Sequence, residues 1–147
     1  MTNKEIIGQL PYSKPFLFVD EIIKIDENGV EGTYFFNENL DFYKGHFKEN
    51  PITPGVILIE TMAQIGVVSL GIFIVNNKLN KNISISLTSS TIEFLKPVYP
   101  NEKVSVISEK VYFRFNKLKC NVKMLNDKKE EVCSGTISGM ISNNKEV

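Results

Sequence analysis

The hydrophobic residues of the chain follow two different periods. Apolar and polar residues alternate from Ile83 to Phe94 and from Leu118 to Met124, as they do in β-strands that bury one face. From Val56 to Val75, by contrast, nearly every side chain is apolar, and Glu60 carries the only charge. Such a run predicts a helix roughly 30 Å long that the rest of the protein covers on every side.

The order of these elements predicts an α+β protein. A short helix is expected at Asn3–Leu10. The predicted strands are one long strand built from Phe16–Val19 and Ile22–Ile25, then Val30–Phe36, Ile83–Phe94 with a β-bulge near Thr88–Ser90, Val104–Phe115, Leu118–Met124 and Glu131–Ile141. We therefore expect a single domain over residues 1–147, in which a curved antiparallel sheet of about six strands wraps around one long central helix.

The start of the predicted helix has a recognisable sequence. Thr53 is a good N-cap residue, and Pro54 suits the first helical turn. The helix should end at Asn76-Asn77, and a polar connection should follow from Lys78 to Asn82. Because the first N–H groups of a helix lack partners within it, those near Gly55 could bind a carbonyl oxygen. An ordinary helix that starts at a proline is the alternative.

Composition narrows the function classes. Lys and Arg number 17, as do Asp and Glu, so the net charge is zero and nothing favours a nucleic-acid partner. Cys120 and Cys133 have no metal-ligand spacing and predict reduced core thiols. The segment Met1–Leu10 lacks the long apolar stretch of a secretory signal, which points to a cytoplasmic protein.

The apolar run from Val56 to Val75 is long enough to cross a bilayer. It lacks flanking clusters of Lys and Arg as well as an aromatic belt, and it lies between predicted strands. Glu60 and Gln64 would also be costly in lipid. We expect a buried helix and no membrane partner.

His46 is the only histidine and lies in the long loop from Asn37 to Thr53, directly after Gly45. An imidazole is available in its neutral form near pH 7, so it can accept a proton. A loop of this length is usually functional or disordered, and the aromatic residues within it argue against disorder. Taken alone, His46 could equally be a surface or packed residue without a catalytic role.

Glu60 stands on the second turn of the predicted helix, among apolar residues. Burial disfavours the charged form of a carboxyl group, and a neutral glutamic acid can donate a proton. Gln64 follows four residues later on the same face, where it can hydrogen-bond to the carboxyl group. The alternative is a glutamate that reaches solvent near the positive end of the helix dipole.

A candidate base, a candidate acid and candidate amide donors thus lie between residues 46 and 60. Removal of a proton α to a thioester carbonyl builds negative charge on the carbonyl oxygen, which N–H groups can stabilise. A β-hydroxyl group leaves readily only when it is protonated, which requires an acid. The three elements together suit the dehydration of a 3-hydroxyacyl thioester.

Several motifs match a known family. They are Leu10-Pro11, Pro15–Asp20, Gly45-His46-Phe47, Pro51–Val56, Glu60–Gln64 and Phe94–Pro100. Together they resemble the 3-hydroxyacyl-[acyl-carrier-protein] dehydratases of fatty-acid synthesis. The similarity extends from Leu10 to about Ile141, and the segment from His46 to Glu60 is its most specific part.

The resemblance implies a hot-dog fold and a homodimer with two sites at its interface, with a trimer of dimers as a larger assembly. It implies removal of water from a 3-hydroxyacyl thioester to give the trans-2-enoyl form. It also implies an acyl carrier protein as partner, in fatty-acid or related lipid and polyene biosynthesis. No metal and no organic cofactor is implied.

In this family the base and the acid come from different subunits. Carried onto this sequence, His46 is the base and Glu60 the acid, and a glutamate at position 60 resembles the dehydratase branch more than the dehydratase/isomerase branch. The other implied site residues are Ile52, whose carbonyl orients the imidazole, Gly55 and Val56 at the thioester carbonyl, and Gln64, which supports the acid.

The family's carrier protein is acidic, so basic residues could dock it. The candidates are Lys14, Lys44, Lys48, Lys96 and Arg114, each of which could also be a solvated surface residue without a partner. The chain departs from the family's usual pattern at Tyr12-Ser13, Lys48-Glu49 and Pro100–Glu102. These departures keep the catalytic pair but are compatible with a specialised rather than a housekeeping pathway.

Two other functions remain open from the sequence. A hot-dog acyl thioesterase would activate water and would not need an acid placed at a β-hydroxyl group. A non-catalytic acyl-group-binding module would not need His46 at all, so the intact pair of His46 and Glu60 argues against it.

Overall fold

Six antiparallel strands form one sheet around a central helix in the computed structural model, which describes residues 1–76 and 83–143. The elements are α1 (Asn3–Gln9), β1 (Glu21–Asp26), β2 (Gly29–Phe36), a short 3-10 helix (Asp41–Lys44), the central helix (Gly55–Val75), β3 (Ile83–Phe94), β4 (Glu102–Arg114), β5 (Lys117–Leu125) and β6 (Glu131–Asn143). The predicted α+β architecture is confirmed. The central helix ends at Val75 with Asn76 as its C-cap, where its end was predicted. Asn77 and the predicted connection Lys78–Asn82 lie outside the described residues.

The strand order across the sheet is β1-β2-β4-β5-β6-β3. The concave face of the sheet covers the central helix, whose side chains from residue 61 to 72 are all buried. Met62, Ile65 and Leu70 of the helix belong to one core cluster with Val106 of β4 and Leu118 of β5. The order leaves β3 and β1 as the two edges of the sheet.

The central helix is long and apolar enough to cross a membrane by length and composition alone. Most of its apolar window, 72%, is buried inside the protein, as expected for the core helix that the sequence predicted.

The helix is not uniform along its length. It is α-helical over Gly55–Ala63, turns once as a π-helix over Gln64–Val68, and is α-helical again over Ser69–Val75. The carbonyl oxygen of Gln64 accepts hydrogen bonds from both the N–H and the hydroxyl group of Ser69. Single π-helical turns are frequent at functional sites, and this one begins at a predicted site residue.

The predicted long first strand is wrong in its first half, because β1 begins only at Glu21. The carbonyl of Phe16 and the N–H of Phe18 are bonded to the side chain of Gln64 instead of to a neighbouring strand. Pairing with β2 starts where the N–H of Asp20 donates to the carbonyl of Thr33. The apolar run Phe16–Val19 is therefore extended chain against the helix rather than strand.

The two-residue periods elsewhere gave correct strands. Leu118, Cys120, Val122 and Met124 all point into the core from β5. In β3, the pairing with β6 shifts between Leu87 and Ser89, where the bulge was predicted.

Both cysteines are free and buried, as predicted. Burial raises the pKa of the Cys120 thiol, and burial together with the charge of Glu131 raises that of Cys133 to about 12. Because the thiolate is the reactive form, both side chains act as apolar core residues.

Candidate active site

His46 is held by the backbone on both sides of its loop. Its N–H donates to the carbonyl of Phe42 in the 3-10 helix (3.1 Å), and its own carbonyl accepts from the N–H of Ile52 (2.9 Å). The Nδ1 atom of its ring lies 3.0 Å from the carbonyl oxygen of Ile52. Since a carbonyl can only accept, Nδ1 donates in this contact, and in a neutral imidazole the lone pair is then on Nε2.

The rest of the His46 environment is apolar and partly open. Its ring stacks on that of Phe47, with centroids 4.1 Å apart and planes at 26°. His46 is half-buried, whereas Phe47 is exposed. A half-buried imidazole with one nitrogen fixed and the other free suits a general base.

Glu60 is fixed by Gln64, whose side chain is completely buried. The amide nitrogen of Gln64 donates to Oε2 of Glu60 and to the carbonyl of Phe16, both at 2.9 Å, and its Oε1 accepts from the N–H of Phe18 at 2.8 Å. These partners fix the orientation of the amide, so that its N–H₂ group must face Glu60. The sequence predicted the contact between Gln64 and Glu60. It did not predict the two backbone partners of Gln64, because Phe16 and Phe18 lie in a segment that the sequence analysis assigned to a strand.

Tyr12 lies beside this carboxyl group, and sequence reasoning listed it only as a departure from the family's pattern. Burial, and after it the charge of Glu60, raises the pKa of Tyr12 to about 12. Its ring packs against that of Phe16, with centroids 6.2 Å apart. Tyr12 therefore contributes a neutral hydroxyl group to the surroundings of Glu60 at physiological pH.

Two tyrosines, Tyr12 and Tyr34, make the folded protein less stable at high pH. The pKa values of Tyr12 and Tyr34 are both raised to about 12 from an ordinary 10.0, chiefly by burial. The unfolded chain loses its phenol protons at a lower pH than the folded chain does. The stability that the two neutral phenols contribute is therefore fully present below pH 10 and is lost as the pH rises from 10 to 12. Urea unfolding at about pH 9 and about pH 11 should show a lower free energy of unfolding at the higher pH.

Two single variants control this prediction. Tyr34→Phe should lose less stability over the same pH interval than the parent. Tyr99→Phe removes the hydroxyl of an exposed tyrosine and should keep the parent's pH dependence. Equal losses in the parent and Tyr34→Phe would contradict the assignment.

The central helix begins one residue later than predicted, at Gly55, and its N-cap is Pro54. Thr53 does not cap it, because its hydroxyl group is hydrogen-bonded to that of Tyr43. Within the described part of the chain, the N–H groups of Gly55 and Val56 have no backbone partner, since those of the next two residues both donate to the carbonyl of Pro54. The free N–H groups are available to a carbonyl oxygen.

A shallow groove of about 350 Å³ runs past this helix start. Its lining residues are Thr53, Gly55, Leu58, Phe94, Leu95, Lys96 and Pro97. A Cβ atom added at Gly55 would lie 3.1 Å from the ring of Phe94, so the ring would have to move by a few tenths of an ångström to make room for it. Val56 is 72% exposed at the same end of the helix.

No hydrogen bond joins His46 to Glu60 among the residues that the structure describes, because each is bonded to its own neighbours. The two side chains are thus held separately, His46 by the carbonyl of Ile52 and Glu60 by the amide of Gln64. Over the described ranges, no group of three His, Cys, Asp or Glu side chains could hold a metal ion.

The candidate docking residues have different surroundings. Lys96 is paired with Glu130 at 2.6 Å and Lys44 with Asp41 at 3.3 Å, while Arg114 lies 4.3 Å above the ring of Tyr112. Lys14 and Lys48 are exposed.

Three aromatic residues near the two ends of β4 differ in their exposure to solvent. Phe113 packs against the core, whereas Tyr99 and Phe115 are 45% and 93% exposed.

Comparison with known proteins agrees with this architecture. A family model described as a FabA-like domain matches residues 10–136. The chain is 31% identical to the 3-hydroxyacyl-[acyl-carrier-protein] dehydratase FabZ of Acinetobacter baylyi over 100% of this chain and 92% of the relative. It is 37% identical to the enzyme of the same name from Sinorhizobium fredii over 82% of this chain and 79% of that protein.

Solved structures show the same fold at low sequence identity. The dehydratase heterocomplex ApeI:P from Xenorhabdus doucetiae matches with a TM-score of 0.81 and 12% identity over 99% of this chain and 95% of that one. A thioesterase from Haemophilus influenzae matches with a TM-score of 0.71 and 14% identity over 98% of this chain and 92% of that one. The protein therefore has the hot-dog fold of dehydratases and thioesterases, as predicted. Its sequence relatives assign it further: the chain belongs to the 3-hydroxyacyl-[acyl-carrier-protein] dehydratase family.

Proposed function

We propose that this protein removes water from a 3-hydroxyacyl thioester carried on acyl carrier protein and releases the trans-2-enoyl thioester, in fatty-acid or related lipid biosynthesis. The observation that carries the proposal is the arrangement of polar partners around His46 and Glu60. The imidazole has a free Nε2, and the carboxyl group of Glu60 is held by a fully buried amide. Membership in the dehydratase family supports the same reaction.

Each residue has one task in the proposed reaction. The Nε2 atom of His46 removes the proton on the carbon α to the thioester carbonyl. The N–H groups of Gly55 and Val56 stabilise the negative charge that develops on the carbonyl oxygen. As the α–β double bond forms, the C–O bond at the β-carbon breaks, and protonated Glu60 gives its proton to the departing hydroxyl group, which leaves as water. Return of the proton from His46 to Glu60 completes the cycle without a cofactor.

We further propose that the two catalytic groups meet across a homodimer. Support comes from β3, a strand of 12 residues at one edge of the sheet, whose outer side has no neighbouring strand among the residues described. Leu87, Phe94 and Leu95 at this edge are 43%, 48% and 52% exposed, and exposed apolar residues grouped along an unpaired strand edge are typical of an interaction surface. A second copy paired along β3 would bury these residues and could place His46 beside the partner's Glu60.

The choice of residues also suggests where the protein acts. Buried, reduced cysteines fit the cytoplasm, where we propose that the protein meets its carrier protein.

Whether the dimers assemble further into a trimer of dimers can be measured from the mass of the purified protein by light scattering.

Identification of the product tests the proposed reaction against its alternatives. Incubation with a 3-hydroxyacyl thioester should give the ultraviolet absorbance of an enoyl thioester and no free thiol. Release of free thiol would mean hydrolysis, the reaction of a hot-dog thioesterase. No turnover, with acyl binding unchanged in His46→Ala, would mean a binding module and would refute the enzyme assignment.

A further inference from the structure

The loop that carries His46 is tied to the start of the central helix by two buried hydroxyl groups. Tyr43 lies on the 3-10 helix three residues before His46, and Thr53 lies two residues before Gly55. Tyr43 is 6% exposed and Thr53 is 5% exposed. Their oxygen atoms are 2.5 Å apart, and either hydroxyl can be the donor.

The other contacts of this loop lead straight to the candidate chemistry. Phe42, next to Tyr43, accepts the hydrogen bond of the His46 N–H, and Ile52, next to Thr53, is bonded to both the carbonyl and the ring of His46. The hydrogen bond between Tyr43 and Thr53 therefore joins the two ends of the loop, next to the two contacts that orient the imidazole.

The contacts of Thr53 hold it in place for the hydrogen bond to Tyr43, and it does not cap the central helix. Its N–H donates to the carbonyl of Val98 at 2.9 Å, which fixes it to the chain that follows β3. Its hydroxyl group, the natural cap of a helix start, is turned away to Tyr43. The N–H groups of Gly55 and Val56 are consequently left free for a ligand.

The Tyr43 hydroxyl group stays protonated near neutral pH and does not act as a base. Burial raises its pKa, the hydrogen bond shared with Thr53 opposes that shift, and the charge of Glu102 adds to it. A phenol that stays neutral can hold another group in place but cannot serve as a base.

We propose that the hydroxyl pair of Tyr43 and Thr53 is a positioning device, which holds the His46 imidazole at a fixed place relative to the N–H groups of Gly55 and Val56. The inference rests on the proposed function, because it assigns the pair to the alignment of the base with the thioester carbonyl. A base displaced by a fraction of an ångström removes the α-proton more slowly, while the substrate still binds through its carrier and its acyl chain. The expected signature is a loss in kcat with little change in KM.

Three variants test the pair. Tyr43→Phe and Thr53→Val each remove one hydroxyl group with almost no change of shape, and each should lower kcat about tenfold while KM stays within about twofold. Thr53→Ser keeps the hydroxyl group and should retain most of the parent's kcat. Because the two groups act together, the double variant of Tyr43→Phe and Thr53→Val should have a kcat only slightly below that of the less active single variant.

A second readout follows the imidazole itself. His46 is the only histidine, so its ring signals in ¹H–¹⁵N NMR spectra need no assignment. They should shift and broaden in Tyr43→Phe and in Thr53→Val but not in Thr53→Ser. This measurement does not depend on turnover. If the parent made no enoyl product, the proposed function would fail, and the NMR comparison would still test the positioning.

Ser108→Ala is the matched control for stability. Ser108 is 3% exposed, and its hydroxyl group donates to the carbonyl of Gly66 at 2.8 Å, away from the His46 loop. This variant should lower Tm but keep the parent's kcat and imidazole signals. The positioning role is overturned if Tyr43→Phe keeps the parent's kcat, or if it loses kcat while the imidazole signals remain those of the parent.

Discussion

His46→Ala and Glu60→Gln should each lower the rate of enoyl formation by roughly 10² to 10⁴, the usual contribution of a general base or acid. His46→Ala removes the imidazole nitrogen that we propose takes the α-proton. Glu60→Gln removes the proton donor but keeps an oxygen that can accept the hydrogen bond of Gln64, so the fold around it should survive. Initial rates with a 3-hydroxyacyl thioester, followed by absorbance of the enoyl product, measure both effects.

The controls for this prediction come from the same chain. Glu27→Gln makes the same chemical change at an exposed residue in the turn between β1 and β2 and should keep the parent's rate. Thermal unfolding of each variant distinguishes a catalytic loss from a folding defect. A parental rate in either His46→Ala or Glu60→Gln would refute the proposed mechanism.

Two inactive variants should restore each other when they share a dimer. Chains carrying His46→Ala and chains carrying Glu60→Gln can be co-expressed with different affinity tags and purified as heterodimers. If the sites lie across the dimer as we propose, one of the two then has both native groups, whereas the other has neither. Such a heterodimer should show about half the parent's rate, provided that the two sites act independently.

The reciprocal heterodimer supplies the decisive contrast. A parent chain paired with a chain that carries both substitutions has one defective group in each interfacial site, so it should be inactive. If instead each chain formed its own site, this second heterodimer would retain about half the rate and the first would have none. The two outcomes are opposite, and only the first agrees with a site built across the dimer.

Local patterns were sufficient for much of the sheet. The alternation in β5 predicted four buried side chains, because each residue of a strand faces the side opposite its neighbour. In β3 the apolar residues change from odd-numbered to even-numbered positions, and this change predicted the bulge for the same reason. The apolar run from Val56 to Val75 predicted a covered helix, since burial of apolar surface away from water is favourable.

The same patterns failed where side chains compete for backbone groups. Phe16–Val19 is as apolar as a strand, yet Gln64 takes the hydrogen bonds of Phe16 and Phe18. Thr53 has the sequence of an N-cap, yet Tyr43 takes its hydroxyl group. In both cases the competing partner is distant along the chain or lies on another element, so no local rule could weigh it.

The sequence by itself determined the class of fold, the family and the identity of the groups that we propose as base, acid and amide donors, because these depend on residue type and spacing. Only the tertiary structure decided the backbone contacts that hold those groups in place. It closed the His46 loop by backbone hydrogen bonds of His46 to Phe42 and Ile52, and it anchored Gln64 by hydrogen bonds to Phe16 and Phe18. Such contacts depend on distances and directions that arise only when the loop, the helix and the sheet have packed together.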